Sequence, residues 1–187
     1  MKKSIYKKFL MGLLLPIFVF GAIIINEDMG KITGSGETKS GEVFPVIAQS
    51  FNLDISEPLE RKRHVNVTVP VASITTEKWM RDIHMRMSVF DKSYPNVIFM
   101  AETENELEPG NVTLDGELTI NGVQKPKSVS FEFKEIDGSL AAAGSIEISL
   151  NNFGIKSPGM GPMKVSDKVS IHFNFSVPSK EVIAAER

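Results

Sequence analysis

The chain has no cysteine. That absence excludes disulfide bridges, thiolate metal sites, a cysteine nucleophile and a lipid attached to an N-terminal cysteine. Histidine is almost as scarce. His64, His84 and His172 are the only three, and their separations lack the close spacing of metal ligands. No Gly-x-Ser-x-Gly elbow, P-loop or His-Glu-x-x-His helix occurs, so the short signatures of hydrolases, nucleotide enzymes and zinc proteases are missing. Positive charge is also in short supply beyond the N-terminus. Lys2, Lys3, Lys7 and Lys8 precede any acid, and after residue 25 the balance is 17 basic to 23 acidic residues, or −6. A domain of that sign lacks the basic face that nucleic acid requires. No catalytic or metal-ligating residue is assigned.

At 187 residues the chain has the length of a single domain. It opens with the basic stretch MKKSIYKK, followed by FLMGLLLPIFVFGAIII, 17 uncharged and mostly apolar residues from Phe9 to Ile25. That length falls between the apolar core of a cleaved signal, about 7–15 residues, and a membrane span of about 20. Phe20-Gly21-Ala22 is an imperfect cleavage site. Residues 1–25 are therefore read as a signal peptide or an N-terminal membrane anchor, and both readings stay open. In either case the basic end stays cytoplasmic and the rest is exported. The expected location is periplasmic or otherwise extracytoplasmic, secreted or anchored to the inner membrane by residues 9–25. Residues 26–41, containing GKITGSGETKSG, read as a flexible tether with room for one weak strand around Lys31–Thr33. Residues 42–178 read as the folded domain and 179–187 as a C-terminal tail.

Within the domain, period-two alternation dominates, the mark of half-buried strands. Phe51, Leu53 and Ile55 alternate with polar residues, as do Val65, Val67 and Val69 in HVNVTVP, which ends at a bend at Pro70. NVIFMA is a short strand. NVTLDGELTI alternates with a bulge expected at Asp115-Gly116, and Asn121-Gly122 predicts a tight type I′ hairpin. SVSFEF, SLAAAGSIEISL and VSIHFNFSV complete seven strands and a weaker eighth. Short connections make them antiparallel. Such strands close either as a sandwich or as a barrel. Large inward residues facing small ones (Ala141, Ala142, Gly144) suggest an unevenly filled interior.

One stretch is helical, TTEKWMRDIHMRMSVFDKSYP. Thr75 or Thr76 is its expected cap. Trp79, Ile83, Met87 and Phe90 form one stripe expected to face the sheet, with Arg81, Asp82 and Arg86 mostly off it. The helix is too short for a core layer and long enough to cover a barrel end.

The run VPVASITTEKWMRDIHMRMSVFDKSYPNVIF resembles the YceI-like, lipid/polyisoprenoid-binding family. The resemblance rests on Ser73, Ile74, Thr75, Thr76, Arg81, Asp82, His84, Arg86, Phe90, Asp91, Tyr94, Pro95, Ile98 and Phe99. GELTINGVQKPKSVSFEF, FGIK at 153–156 and VSDKVSIHF at 165–173 extend it over most of the domain. Two departures are a replaced first strand and Met85 where the family tends to have leucine. The resemblance implies a mainly β, lipocalin-like antiparallel barrel of about eight strands, with one short helix covering an end. It also implies a long-chain isoprenoid lipid, of the quinone or polyprenyl type, or a fatty amphiphile as ligand, with no other cofactor and with the membrane as donor or acceptor. A homodimer is left open.

On that reading the barrel lining is expected to include Phe51, Val67, Val69, Trp79, Ile98, Met100, Leu118, Phe131, Phe133, Ile146, Phe173 and Phe175. Arg81, Asp82, His84 and Arg86 are expected at a polar mouth, where a head group would accept hydrogen bonds. Two other classes compete. One is a lipid-modifying enzyme using Asp82 and His84 as an acid–base pair. The other is a filled β-sandwich for adhesion or assembly, which has no need of the helix.

Overall fold

The computed structural model describes residues 22–56, 58–104, 108–137 and 139–178. Most of the expected signal or anchor, the C-terminal tail and Gly138 lie outside the described residues. The strands are β1 (Ile23–Ile25), β2 (Gly30–Glu37), β3 (Val43–Ala48), β4 (Asn52–Ile55), β5 (Arg63–Pro70) and β6 (Ile74–Thr75). After helix α1 (Trp79–Ser88) come β7 (Asn96–Thr103), β8 (Gly110–Ile120), β9 (Val123–Ile136), β10 (Ser139–Ser149) and β11 (Lys168–Pro178).

All eleven strands join one antiparallel sheet in the order β1-β4-β5-β7-β8-β9-β10-β11-β2-β3-β6. A three-residue 3-10 turn, Val71–Ser73, carries the chain from β5 directly into β6, which pairs with β3 at the far edge. The sheet therefore curls until its last strand is the continuation of its third. This is a single curled barrel rather than two stacked sheets. Its strand count exceeds the expected eight by β1, β3 and β6, whose short runs carry no clear two-residue alternation.

The segment expected as a tether is structured. β2 pairs with β11 from Ser35 opposite Ser170 to Gly30 opposite Phe175, and with β3 on its other side. Its glycines make room for neighbouring side chains: a Cβ on Gly36 would lie 2.5 Å from the Phe44 ring, and one on Gly30 would lie 2.6 Å from Phe175 Cδ1. β1 also falls within the stretch assigned to the signal. Ile25 pairs with Leu53 and is fully buried. The folded unit thus begins ahead of residue 42, and protein cut at residue 25 would lose a core strand.

Two turn expectations have different outcomes. Asn121 and Gly122 have φ of 52° and 73°, the paired positive values a type I′ turn needs. The bulge at Asp115-Gly116 does not form, and β8 pairs with β9 without interruption from Gly110 to Ile120.

The buried core runs along the concave face of the sheet. Leu53, Val65, Val112, Leu114, Phe133, Ala142, Phe175 and Val177 belong to one cluster. A second cluster of Leu118, Ile120, Phe153 and Ile155 lies under the α1 end. That end also holds the β8–β9 turn, where the Asn121 amide donates to the Val89 carbonyl at 2.7 Å.

Candidate functional site: an apolar chamber under a helix

The concave faces do not meet in a solid centre. They enclose a cavity of about 610 Å³, within the range that holds one small-molecule ligand. Strand parity builds its wall. On β11, Val169, Ile171, Phe173, Phe175 and Val177 all face it, and Ala142, Ile146 and Ile148 of β10 face it from the neighbouring strand. Phe131 and Phe133 meet edge-to-face at 5.1 Å, and Phe131 and Phe173 at 6.0 Å, a favoured aromatic geometry.

Of the residues expected to line the barrel, Val67, Val69, Leu118, Phe131, Phe133, Ile146, Phe173 and Phe175 do so. Phe51 is buried but packs outside the cavity wall, its ring 5.4 Å from Phe175. Ile98 and Met100 are corrections. NVIFMA is apolar at both parities, and the register turns Val97 and Phe99 inward instead.

Trp79 is also a correction, and with it the orientation of α1. Trp79 is 71% exposed and Met87 73%, with Met80 and Ile83 also exposed. The side turned to the cavity carries Met80, Arg81, His84 and Met85, followed by Val89 and Phe90 beyond the helix end. Arg81 is tolerated there because its charge is neutralised: its guanidinium donates to Glu42 at 2.8 Å and stacks 4.2 Å from the Phe44 ring centre. Sequence spacing had no means of showing a partner in a different hairpin.

The expected Thr75 or Thr76 cap is absent; Lys78 occupies the cap position without a side-chain hydrogen bond. The threonines bind Asp82 instead. Asp82 accepts from the Thr75 hydroxyl at 2.7 Å, and from the Thr76 amide and hydroxyl at 2.6 Å each. Desolvation pushes the Asp82 carboxyl up, but these hydrogen bonds and the Arg86 charge outweigh it and hold the group below its ordinary value. Arg86 donates to the Ala72 carbonyl at 3.1 Å and lies outside the cavity lining. Asp82 and Arg86 thus brace the β6–α1 corner. His84 lines the cavity and makes no hydrogen bond among the described residues, so the acid–base pairing with Asp82 does not form. His64 lies 3.5 Å from Glu102 at the opposite end, and no group of three or more metal-binding side chains occurs among the described residues.

The opening lies where wall residues are also exposed: Lys78, Met80 and His84 on the α1 side, and Gly159 and Met163 on the facing loop. The sequence of that loop, SPGMGPM, is compatible with a flexible surface loop and with a movable rim that admits ligand. A run of Gly and Pro carries no periodicity from which a facing direction could be read.

A curled antiparallel sheet with an apolar chamber beneath one short helix defines a lipocalin-like fold. The chain belongs to the YceI-like family, whose domain matches residues 26–177. It is 35% identical over 121 residues to a UPF0312 protein of Photorhabdus laumondii, covering 60% of this chain and 61% of that one. The match therefore spans less than two thirds of that relative. Two solved structures share the fold at low identity. A polyisoprenoid-binding domain from Saccharophagus degradans, implicated in plant cell wall breakdown, has a TM-score of 0.68 at 12% identity, covering 84% of this chain and all of that one. Burkholderia cenocepacia BcnA has a TM-score of 0.65 at 18% identity, covering 79% and 96%.

Proposed function

We propose that this chain is an exported, non-enzymatic carrier that holds a long-chain isoprenoid lipid with an uncharged head group, of the quinone or polyprenyl type. The observation that carries this reading is the 610 Å³ chamber, walled mostly by aliphatic and aromatic side chains with Lys78, Arg81 and His84 gathered at the helix end. A linear hydrocarbon needs a dry space and almost no polar matching. At about 0.8 kcal/mol per buried CH₂, ten enclosed carbons contribute roughly 8 kcal/mol before the cost of association. Met80 and Met163 at the opening and Met85 in the wall suit a flexible guest, because methionine repacks around varied shapes.

The mouth supports an uncharged head. Arg81 is paired with Glu42 at 2.8 Å, Lys78 lies further out at the exposed rim, 3.6 Å from the same carboxylate, and Arg86 is directed to backbone carbonyls. His84 is left as the donor for a carbonyl or hydroxyl oxygen. Export rests on the basic and apolar N-terminal segment. A cut after Ala22 would keep β1 whole, which supports a signal ending there.

The test is extraction. Full-length protein purified from a bacterial host is treated with organic solvent, and the extract is examined by mass spectrometry. A long-chain lipid with an uncharged head in near-stoichiometric amount is expected. Repeatedly empty extracts from folded protein would overturn the reading.

A further inference from the structure

We propose that the outer face of α1 and the loop across the cavity mouth form a docking surface for an anionic phospholipid bilayer, placing the opening against the membrane. This rests on the carrier reading above. Trp79, Met80, Ile83 and Met87 lie at i, i+1, i+4 and i+8 on α1, and all four are exposed. Across the opening, Met160 is 87% exposed and Met163 is exposed as well. Met80 and Met163 also line the cavity, so the apolar surface outside is continuous with the apolar surface within. A short helix showing water a Trp–Met–Ile face is the form taken by helices that lie in the interface plane of a membrane. Exposed apolar surface clustered in one place marks an interaction site.

Charge selects the bilayer as the occupant. Lys39, Lys78 and Lys164 cluster at this end: the Lys39 amide donates to the Lys164 carbonyl at 2.8 Å, and Lys78 sits 3.6 Å from Glu42. The opposite end carries Glu27 and Asp28 in the β1–β2 turn, Glu104 after β7, and Glu135 and Asp137 at the β9–β10 turn. Glu42 and Glu77 also lie at the mouth end, and Arg61, Lys62 and Arg63 at the far end, but acids outnumber bases at the far end and not at the mouth. An anionic surface attracts the lysine end and repels the far end, which orients the opening toward it. A cargo that water does not dissolve then passes between bilayer and chamber without crossing solvent.

The chain contains its own reporter, because Trp79 is the only tryptophan. Full-length protein is mixed with vesicles of phosphatidylcholine containing phosphatidylglycerol, and Trp79 emission is followed. A blue shift is expected, together with quenching by lipids carrying bromine or a nitroxide on their acyl chains. Vesicles of phosphatidylcholine alone should give a weaker response. Met87→Asp and Met160→Asp, neither in the cavity wall, should each weaken partitioning by about tenfold, from the lost apolar burial and the added charge. Both should leave extractable lipid unchanged. Ile23 enters the sheet opposite Ile55, which pairs near the start of β5 while α1 follows its end. Protein held only through its N-terminal segment would therefore show no change at Trp79. Vesicle-bound protein with unshifted Trp79 emission overturns the proposal. So does a blue shift without vesicles that grows with protein concentration, which would assign the face to a second copy of the chain. Lipid extraction reads the carrier function separately: loaded protein with an unresponsive Trp79 sinks the docking surface alone, and empty protein sinks the carrier reading.

Discussion

Arg81 and Glu42 close one side of the cavity mouth, with the guanidinium 2.8 Å from the carboxylate and stacked over Phe44. The two residues come from α1 and from the turn before β3. The pair neutralises the more buried of the two cations at the opening, Arg81, leaving Lys78 at the exposed rim, and so sets which head groups are accepted.

Glu42→Gln should therefore change selectivity. With Arg81 unpaired, a phosphate head gains a charge-assisted hydrogen bond worth about 1.5–3 kcal/mol. Polyprenyl phosphates should become enriched about tenfold over uncharged isoprenoids in extracts of the variant, compared by mass spectrometry. Thermal stability should fall by less than about 1 kcal/mol, because the pair is partly exposed. An unchanged lipid profile would show that Arg81 does not govern the head group.

Asp82 ties the β6–α1 corner, and its contribution depends on pH. Its carboxyl is held below the ordinary value of 3.8. A group depressed in the folded state stabilises above its unfolded pKa, and the contribution is lost as pH falls through the folded value. Asp82→Asn should cost about 1–2 kcal/mol at neutral pH, since the carboxylate is only partly buried and water replaces some of what is lost. Melting temperatures measured across pH should show the gap between wild type and variant closing below pH 3.8.

Ile25 tests whether the first strand belongs to the core. It is fully buried against β4, so Ile25→Ala in the full-length chain should lose about 2–5 kcal/mol in denaturant unfolding. A change within about 0.5 kcal/mol, the range for surface positions, would exclude β1 from the cooperative unit.

Ile146 tests the chamber itself. It lines the cavity opposite Ile171 on β11. Ile146→Trp should place an indole where the lipid lies, lowering extractable lipid about tenfold or more. The barrel should stay folded by circular dichroism, because the added volume enters empty space and not a packed core. Full lipid content in the variant would place the ligand elsewhere.

The alternation of β11 was enough to read its inward face, because one parity is apolar and the other polar from Val169 to Val177. Where that contrast fails, direction fails with it. Val97 and Ile98 are equally good wall residues by composition, and only pairing with β5 and β8 decides between them. The amphipathic stripe of α1 was read correctly as a stripe and assigned to the wrong side. Trp79, Ile83 and Met87 face outward, while Phe90 and the side with Arg81, His84 and Met85 face the cavity.

By itself, the sequence determined the β class, the hairpin at Asn121-Gly122, the family and most of the aromatic wall, because each rests on neighbouring residues or on a repeating two-residue contrast. The tertiary structure decided the rest: that a glycine-rich stretch is a strand, that Arg81 is neutralised by Glu42, and that Trp79 faces solvent. Those depend on partners distant along the chain. Gly36 reads as flexible until the Phe44 ring lies against it, and a charge reads as free until a second hairpin delivers its counter-charge.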